Sequence, residues 1–145
     1  MSYTTIVKVK KLADDARLPG YAYEDDAGID IYSNEDKCIP ANGYVAISTG
    51  ISIELQSGHV ALVWDKSGLA FNSGLKTMAG VIDSGYRGEV KIILYNTTKV
   101  DYNVKKHQKI AQILIQKIEH ALLLEDTSLN NTKRGESGFG STGLI

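Results

Sequence analysis

Cysteine is nearly absent from this sequence, and its scarcity limits what kind of protein the chain can be. Cys38 is the single cysteine among 145 residues, so no intrachain disulfide can form. A lone thiol fits a reducing compartment, and we expect the protein to be cytoplasmic or to occupy another reducing intracellular compartment. The three histidines, His59, His107 and His120, are scattered and give no zinc-binding spacing with that cysteine.

Long apolar runs and an excess of one charge are also missing. The N-terminus has no signal-peptide stretch, and the longest apolar run near the C-terminus is too polar to span a membrane because Gln116, Lys117, Glu119 and His120 interrupt it. Sixteen basic and 17 acidic residues give a formal charge of −1, which argues against a general nucleic-acid binder. We therefore expect neither a membrane nor a nucleic-acid partner, although a few basic groups can still bind a small anion.

The sequence does contain many short runs rich in Val, Ile and Tyr, separated by 14 glycines. Strand-like runs occupy residues 4–10, 28–33, 43–55, 59–64 and 89–96. With 145 residues and a hydrophobic fraction of 43%, the chain suits one domain with one core. Many short strands bounded by turn residues predict an all-β sandwich or barrel.

Three further segments complete this interpretation. Residues 110–125 mix Ala and Leu, which favour helix, with Ile, which favours strand; we favour strands there because the rest of the chain is β. We expect a short helix to follow residues 67–71. Residues 127–145 are rich in Ser, Thr, Asn and Gly and have little to bury, so we expect a domain over residues 1–126 and a flexible C-terminal arm over residues 127–145.

Residues 79–90 carry the most distinctive pattern, Ala-Gly-Val-Ile-Asp-Ser-Gly-Tyr-Arg-Gly-Glu-Val. Three glycines surround Asp83, Tyr86 and Arg87. Glycines let a β-hairpin bring its backbone close to a ligand, and an Asp in such a turn can orient and deprotonate a water molecule. An ordinary hairpin turn with solvated charges explains the pattern equally well without a ligand.

Five segments, taken in order, resemble the motifs of the trimeric dUTP diphosphatase (dUTPase) family. Residues 79–90 resemble the third motif, Gly-Val-Ile-Asp-x-x-Tyr-Arg-Gly-Glu. The other four segments are residues 26–32 (Asp-Ala-Gly-Ile-Asp-Ile-Tyr), 65–70 (Asp-Lys-Ser-Gly-Leu-Ala), 109–114 (Lys-Ile-Ala-Gln-Ile-Leu) and 134–143 (Arg-Gly-Glu-Ser-Gly-Phe-Gly-Ser-Thr-Gly). The resemblance covers nearly the whole chain and implies a distorted jelly-roll or β-clip barrel with at most one short helix.

The resemblance also implies roles for residues around the nucleoside. Asp83 is implied as the general base that activates water for attack on the α-phosphorus of dUTP. Tyr86 is implied to pack under the deoxyribose and to exclude a 2′-hydroxyl. The backbone expected to pair with uracil belongs to Thr77, Gly80, Val81 and Lys91.

Other residues are implied to contact the triphosphate or to close the site. In the domain these are Lys66, Ser67, Gly68 and Gln112, and in the arm they are Arg134, Gly140, Ser141 and Thr142. Arg134 is implied to pair with the γ-phosphate, because its guanidinium fork suits phosphate oxygens. Phe139 is implied to stack on the uracil ring.

A cofactor and an assembly follow from the same resemblance. Mg²⁺ is implied by the triphosphate and is expected to be held by phosphate oxygens and waters, with Asp30 acting through those waters and no direct protein ligand. A homotrimer with shared active sites is implied, in which one subunit supplies residues 79–90, a neighbour supplies the phosphate motifs and the third supplies the arm.

The sequence departs from the family pattern at several positions. Asp65 and Lys66 stand where the family usually has Pro-Arg; lysine keeps the charge but loses the bidentate fork, and a pair between these two residues would explain the added acid. His107 stands where glycine is common, which suggests a different turn, and Gln108-Lys109 follow where the family has an acid and an arginine. Gly85 stands where many members have a second acid.

Two other functions are compatible with the same fold. The third motif also resembles that of the dCTP deaminases. The glutamate that transfers a proton in those enzymes is replaced here by Ile93, and a serine and an arginine of their second motif are replaced by Gly68 and Phe71. A non-catalytic nucleotide-binding regulator is the second alternative. The presence of both Asp83 and the arm favours the enzyme.

Overall fold

The computed structural model describes residues 5–138, which form eleven short strands and one helix. The strands are β1 (Lys8–Lys11), β2 (Ile29–Tyr32), β3 (Lys37–Ile39), β4 (Tyr44–Ser48), β5 (Ile51–Glu54), β6 (His59–Trp64), β7 (Leu75–Met78), β8 (Val81–Asp83), β9 (Lys91–Asn96), β10 (Tyr102–Val104) and β11 (Lys109–Lys117), and the helix is α1 (Ser67–Ser73). No helix in this part of the chain is long and apolar enough to cross a bilayer. The prediction of an all-β fold with one short helix is confirmed.

All the strand pairs are antiparallel, and they form four sheets. The two larger sheets have the orders β2-β11-β6-β8 and β4-β9-β7, and two small sheets pair β1 with β5 and β10 with β3. The consecutive strands β7 and β8 belong to different larger sheets, and so do β8 and β9. The chain therefore crosses from one larger sheet to the other and back within residues 75–96, and this crossing builds the site described below.

The core lies where the inward faces of these sheets meet. Strand β9 shows why its sequence forms such a layer, since Ile92, Leu94 and Asn96 are buried while the alternating residues are partly or fully exposed. This two-residue period turns one face of the strand inward. Asn96 is tolerated in the core because its amide group donates to the carbonyls of Ile39 and Val100.

Most strand predictions are confirmed, with altered bounds. The run at residues 43–55 is divided into β4 and β5 by Gly50, whose φ of 67° is one that glycine adopts without strain. The run at residues 110–125 is a strand as favoured, but only as far as Lys117. The short helix exists and begins at Ser67, within the sequence that was expected to precede it.

His107 lies in the tight turn between β10 and β11, and the expectation that this turn differs from that of the family stays a prediction. The φ of His107 is 66°, which is the left-handed conformation that glycine favours. The turn is secured by two bonds: the His107 amide donates to the Ser33 carbonyl at 2.7 Å, and the imidazole Nε2 lies 2.9 Å from the Asp15 carbonyl oxygen. These contacts offset the strain of holding a non-glycine residue in this conformation.

The described part of the expected arm, residues 127–138, contains no strand or helix. Its residues are exposed except Gly138, which is half-buried. The hydrogen bonds within it are local, such as that from Arg134 Nε to the Ser137 carbonyl at 2.9 Å. None of the buried core residues comes from this segment.

Candidate active site

A small cavity of about 260 Å³ lies where the chain crosses between the two larger sheets. It is lined by Val63 and by residues 78–83, 86 and 89–93. Of the residues expected around the nucleoside, Gly80, Val81, Asp83, Tyr86 and Lys91 all line it. The structure therefore brings five of the expected site residues together around one opening.

Backbone groups are available along this cavity because two strands are incompletely paired there. Strand β8 is the edge strand of its sheet and pairs only with β6 in the described chain. In β9, Lys91 and Ile92 pair with β4, but the ladder with β7 begins only at Ile93. The outer edge of β8 and one side of the first residues of β9 can thus offer amide and carbonyl groups to a ligand.

The corner between β7 and β8 requires glycine. Gly80 has a φ of 135°, and a Cβ at this position would lie 3.0 Å from the Val63 carbonyl oxygen and 3.2 Å from the Val63 Cβ. The Gly80 carbonyl accepts a hydrogen bond from the Val63 amide at 2.8 Å. Close backbone approach and unusual φ together shape the cavity wall.

Asp83 and Tyr86 lie on a tight turn at the rim of the cavity. Asp83 ends β8 and is exposed, and its carbonyl accepts a hydrogen bond from the Tyr86 amide at 3.0 Å. The Tyr86 hydroxyl donates to the Glu89 carbonyl at 2.9 Å. A Cβ on residue 88 would lie 2.3 Å from the Tyr86 hydroxyl oxygen, so Gly88 is needed for the ring to cross the turn.

Glu89 anchors this turn to the rest of the domain, a role that the sequence did not indicate. Its carboxylate accepts hydrogen bonds from the Ser48 hydroxyl and from the Gly50 amide, and Lys91 Nζ lies 3.7 Å away. Burial raises the pKa of Glu89, but these hydrogen bonds and the Lys91 charge outweigh it and leave the pKa below its ordinary value. Glu89 is therefore an ionised anchor between residues 79–90 and the β4–β5 turn.

Residues 79–90 do not form the β-hairpin expected from their glycines. Strand β8 pairs with β6, whereas β9 pairs with β4 and β7, so the two strands that flank the turn share no ladder. The physical reason is the sheet crossing: the chain leaves one sheet at Asp83 and enters the other at Lys91. The gap that a hairpin would have closed is the cavity itself.

A second cluster of expected site residues surrounds Asp30. Its side chain is 3% exposed and lies between two ammonium groups, with Lys66 Nζ 2.5 Å from Oδ1 and Lys109 Nζ 2.6 Å from Oδ2. Burial raises the pKa of Asp30, but both lysines outweigh it and hold the pKa below its ordinary value, while Asp30 raises the pKa of Lys109. Two cations and one anion leave this cluster with a positive balance suited to phosphate.

Gln112, Ser67 and Gly68 lie beside this cluster rather than beside the cavity. Gln112 is paired with Asp30 in the β11–β2 ladder, and its Nε2 donates to the Asp65 carbonyl at 2.8 Å. Its side chain lies so close to Gly28 that a Cβ there would be 1.9 Å from Gln112 Oε1. Ser67 and Gly68 open helix α1 and are exposed.

Asp65 does not pair with Lys66, which corrects the explanation suggested by the sequence. Asp65 Oδ2 pairs with Lys76 Nζ at 2.8 Å, and Oδ1 accepts from the Thr77 amide at 2.6 Å and the Thr77 hydroxyl at 2.7 Å. Lys66 turns instead to Asp30. Thr77 does not line the cavity. Its amide and hydroxyl both donate to Asp65, so neither is available for the uracil contact expected of Thr77.

The two clusters are far apart within one chain. Asp83 lies opposite Val60 in β6, whereas Gln112, the neighbour of Asp30, lies opposite Trp64. Asp30 and Asp83 are thus separated by three strand spacings and by four residues along the sheet, which amounts to roughly 20 Å. A single chain does not bring Asp83 and the Asp30 cluster into one site.

Arg134, the one expected arm residue that the structure describes, joins neither cluster. Arg134 Nε donates to the carbonyl of Ser137, three residues along the chain. Phe139, Gly140, Ser141 and Thr142 lie outside the described residues.

The fold and these two clusters define a class of protein. It is an all-β domain that has a small cavity with free backbone edges and a separate cationic cluster. A family model described as dUTPase matches residues 14–143, and the chain belongs to the dUTPase family.

Individual relatives agree with this assignment. The chain is 49% identical over 139 residues to a deoxyuridine 5′-triphosphate nucleotidohydrolase of Paramecium bursaria Chlorella virus 1, covering 94% of this chain and 96% of the relative. It is 47% identical to the protein of the same name from Clostridioides difficile, covering 95% and 98%. The solved structure of Staphylococcus bacteriophage 80alpha dUTPase with dUPNHPP superposes with a TM-score of 0.86 at 28% identity, covering 96% of this chain and 99% of that one.

Proposed function

We propose that this chain hydrolyses dUTP to dUMP and pyrophosphate. The observation that carries the proposal is the cavity between β8 and β9, which combines free backbone edges with an exposed carboxylate, Asp83, and a fixed ring, Tyr86, on its rim. Relatives at 47–49% identity are named for hydrolysis of this nucleotide.

Recognition of the base follows from the shape of the cavity. Amide and carbonyl groups on β8 and on the start of β9 present donors and acceptors at fixed spacing, as required to read the edge of uracil. The Tyr86 ring is held across Gly88 by its bond to the Glu89 carbonyl, so it forms a rigid support for the sugar. A ribose 2′-hydroxyl would meet this ring without a partner, which favours deoxyribose.

Asp83 is the group proposed to activate water. Its carboxylate would accept a proton as the water oxygen bonds to the α-phosphorus and the bond from that phosphorus to the α–β bridging oxygen breaks. Pyrophosphate leaves with the bridging oxygen, and dUMP retains the new one. One base suffices for this proton transfer, so Gly85 at the position of a second acid does not prevent it.

The Asp30 cluster is proposed to face the triphosphate. Lys66 and Lys109 supply positive charge, and Gln112, Ser67 and Gly68 supply polar contacts beside it. Both carboxylate oxygens of Asp30 lie against an ammonium group, Oδ1 against Lys66 and Oδ2 against Lys109 Nζ at 2.6 Å, and the side chain is buried. Because both oxygens are engaged by lysines, Asp30 is proposed to act on Mg²⁺ through the waters of the ion and not as a direct ligand. Bound Mg²⁺ would neutralise phosphate charge and fix the triphosphate conformation.

A homotrimer is proposed because one chain cannot complete the site. Asp83 and Asp30 lie roughly 20 Å apart along the sheet register, so a nucleotide between them must meet Asp83 of one copy and the Asp30 cluster of another. The face of the β2-β11-β6-β8 sheet that joins them also exposes apolar side chains, with Trp64 at 55% and Val81 at 69% exposure. Such a face suits contact with another copy.

Sedimentation equilibrium tests this assembly. We expect a single species of about three times the 15.8 kDa chain mass at the concentrations used for activity. Trp64 is the only tryptophan of the sequence, so its emission reports on this face, and dilution that dissociates the trimer should shift it to longer wavelength. An active species with the mass of one chain would contradict the shared site.

A nucleotide panel tests the reaction itself. With Mg²⁺ present, pyrophosphate release is expected from dUTP and not from dTTP, dCTP, UTP or dATP, because only deoxyuridine satisfies both the cavity and the Tyr86 support. Chromatography of the products should show dUMP. Binding of dUTP without turnover would instead indicate a nucleotide-binding regulator, and conversion of dCTP to dUTP would indicate a deaminase.

The deaminase alternative is weakened by the cavity lining. Ile93, at the position of the deaminase glutamate, lies in that lining and is half-buried. Its alkyl side chain has no group that exchanges a proton. Position 93 therefore gives no support to the glutamate-assisted proton transfer of a deaminase.

A further inference from the structure

We propose that Asp65 is the positioning residue of the phosphate-binding segment that follows it, residues 66–68. The inference rests on the proposed function, because it concerns how the triphosphate half of that site is held in place. It also explains why Asp65 is present, since a carboxylate close to a triphosphate would by itself oppose binding.

Asp65 is the point at which three segments of the chain are joined. Its carboxylate binds the backbone and side chain of Thr77 and the ammonium of Lys76, both on β7. Its backbone carbonyl accepts from Gln112 on β11 at 2.8 Å. Asp65 itself follows β6, so it ties β7 of one larger sheet to β6 and β11 of the other.

This tie controls the direction of the next residues. Only Asp65 and Lys66 separate β6 from α1, and Lys66 is extended, with φ −85° and ψ 118°. The Lys66 carbonyl accepts from the Ala70 amide at 2.9 Å, and the Lys66 ammonium reaches Asp30. A segment this short inherits its orientation from its first residue, so the bonds of Asp65 fix where Lys66 and Ser67 point.

The contacts of Asp65 identify it as a positioning residue and not a catalytic one. Both carboxylate oxygens are occupied by donors on β7, and the side chain is 25% exposed. Burial raises the pKa of Asp65, but the bonds from Lys76 and Thr77 outweigh it and keep the pKa below its ordinary value. The carboxylate thus bonds to β7, where Lys76 balances its charge.

Two substitutions at Asp65 separate this role from a general loss of stability. In Asp65→Asn the amide oxygen can still accept from the Thr77 amide and hydroxyl, and only the exposed ion pair with Lys76 is lost. In Asp65→Ala all three side-chain bonds are lost and the Thr77 amide has no partner. We expect the KM for dUTP to rise about tenfold in Asp65→Ala with kcat reduced less than about threefold, and both constants to stay within about twofold of wild type in Asp65→Asn.

Asp101→Ala is the matched control. Asp101 Oδ1 accepts from the Ala41 amide at 2.8 Å, so it too ties a carboxylate to a distant backbone amide, but at the β3–β10 end of the domain. The KM of the Asp101→Ala variant for dUTP should equal that of wild type, even if the melting temperature of the variant falls as far as that of Asp65→Ala. Lys76→Met removes the ion pair alone and should also retain the wild-type KM.

The KM and kcat of the Asp65 variants test whether Asp65 positions residues 66–68. A KM for Asp65→Ala equal to that of wild type, or a fall in kcat at constant KM, would overturn the proposal, and so would an Asp65→Asn variant as impaired as Asp65→Ala. Wild-type protein that releases no pyrophosphate from dUTP would refute the proposed function instead. If the wild-type protein hydrolyses dUTP and Asp65→Ala leaves the KM unchanged, this inference is refuted and the proposed function is not.

Discussion

Turnover of dUTP is expected to fall between about a hundredfold and ten-thousandfold in Asp83→Asn, with nucleotide binding retained. Asparagine has nearly the shape of aspartate, so the turn that positions Tyr86 through the Asp83 carbonyl should persist. The amide cannot accept the proton of the attacking water. The measurement is kcat from pyrophosphate release, together with the Kd of a non-hydrolysable dUTP analogue.

Asp14→Asn is the appropriate control for this experiment. Asp14 is an exposed acid outside both clusters, so its replacement changes the net charge equally and should leave kcat within about twofold of wild type. Near-full activity in Asp83→Asn would show that another group activates the water. Loss of analogue binding in that variant would show that the substitution disturbs the cavity and not the chemistry alone.

Removal of residues 134–145 is expected to lower kcat/KM on the order of a hundredfold or more while leaving the fold intact. The arm is proposed to bring Arg134 and the residues after it over the triphosphate and to exclude bulk water. Among residues 5–138, none of the buried core residues lies beyond Ile113, so the melting temperature of the truncated chain should match that of the full chain within a few degrees. Circular dichroism and sedimentation test folding and assembly separately from activity.

Mixing the two inactive proteins gives a sharper result. In the proposed trimer, Asp83 and the arm at one site come from different chains. Trimers reassembled from Asp83→Asn chains and truncated chains should therefore contain some sites with an intact Asp83 and an intact arm. Activity above that of either parent is the expected outcome, and a mixture no more active than its parents would argue that both parts serve the site of their own chain.

Much of the strand pattern was predictable because alternation of apolar residues is local. Strand β6 was predicted with its observed bounds at residues 59–64, whereas the three-residue strands β3 and β10 were missed. These two pair only with each other, and Tyr102 opposite Ile39 is a contact that no local pattern contains. The end of β11 was likewise set by its partner, since Lys117 lies opposite His59, where β6 begins.

The candidate site was predictable to a different extent. Resemblance of five segments located the expected cavity residues and one of the two lysines beside Asp30, Lys66, but it did not assign a role to Lys109. It did not indicate that Glu89 anchors the turn, or that Asp65 binds Thr77, because both bonds connect parts of the fold that the chain places in separate elements. The departure at Asp65 was a visible signal in the sequence, but its partners on β7 could be identified only from the folded structure, because they belong to the other larger sheet.

The ion cluster around Asp30 also sets the pH range over which the phosphate half of the site keeps its charge. The pKa of Asp30 lies below 3.8, so its stabilising ion pairs are complete above that pH and are lost only as the solution is acidified through the lower folded-state value. The pKa of Lys109 lies above 10.5, so its contribution is complete below that pH and is lost as the solution becomes more alkaline than the raised value. Neither group titrates between these limits. A change in activity near neutral pH therefore belongs to the nucleotide or to other groups of the protein, and these two residues act as a fixed background charge.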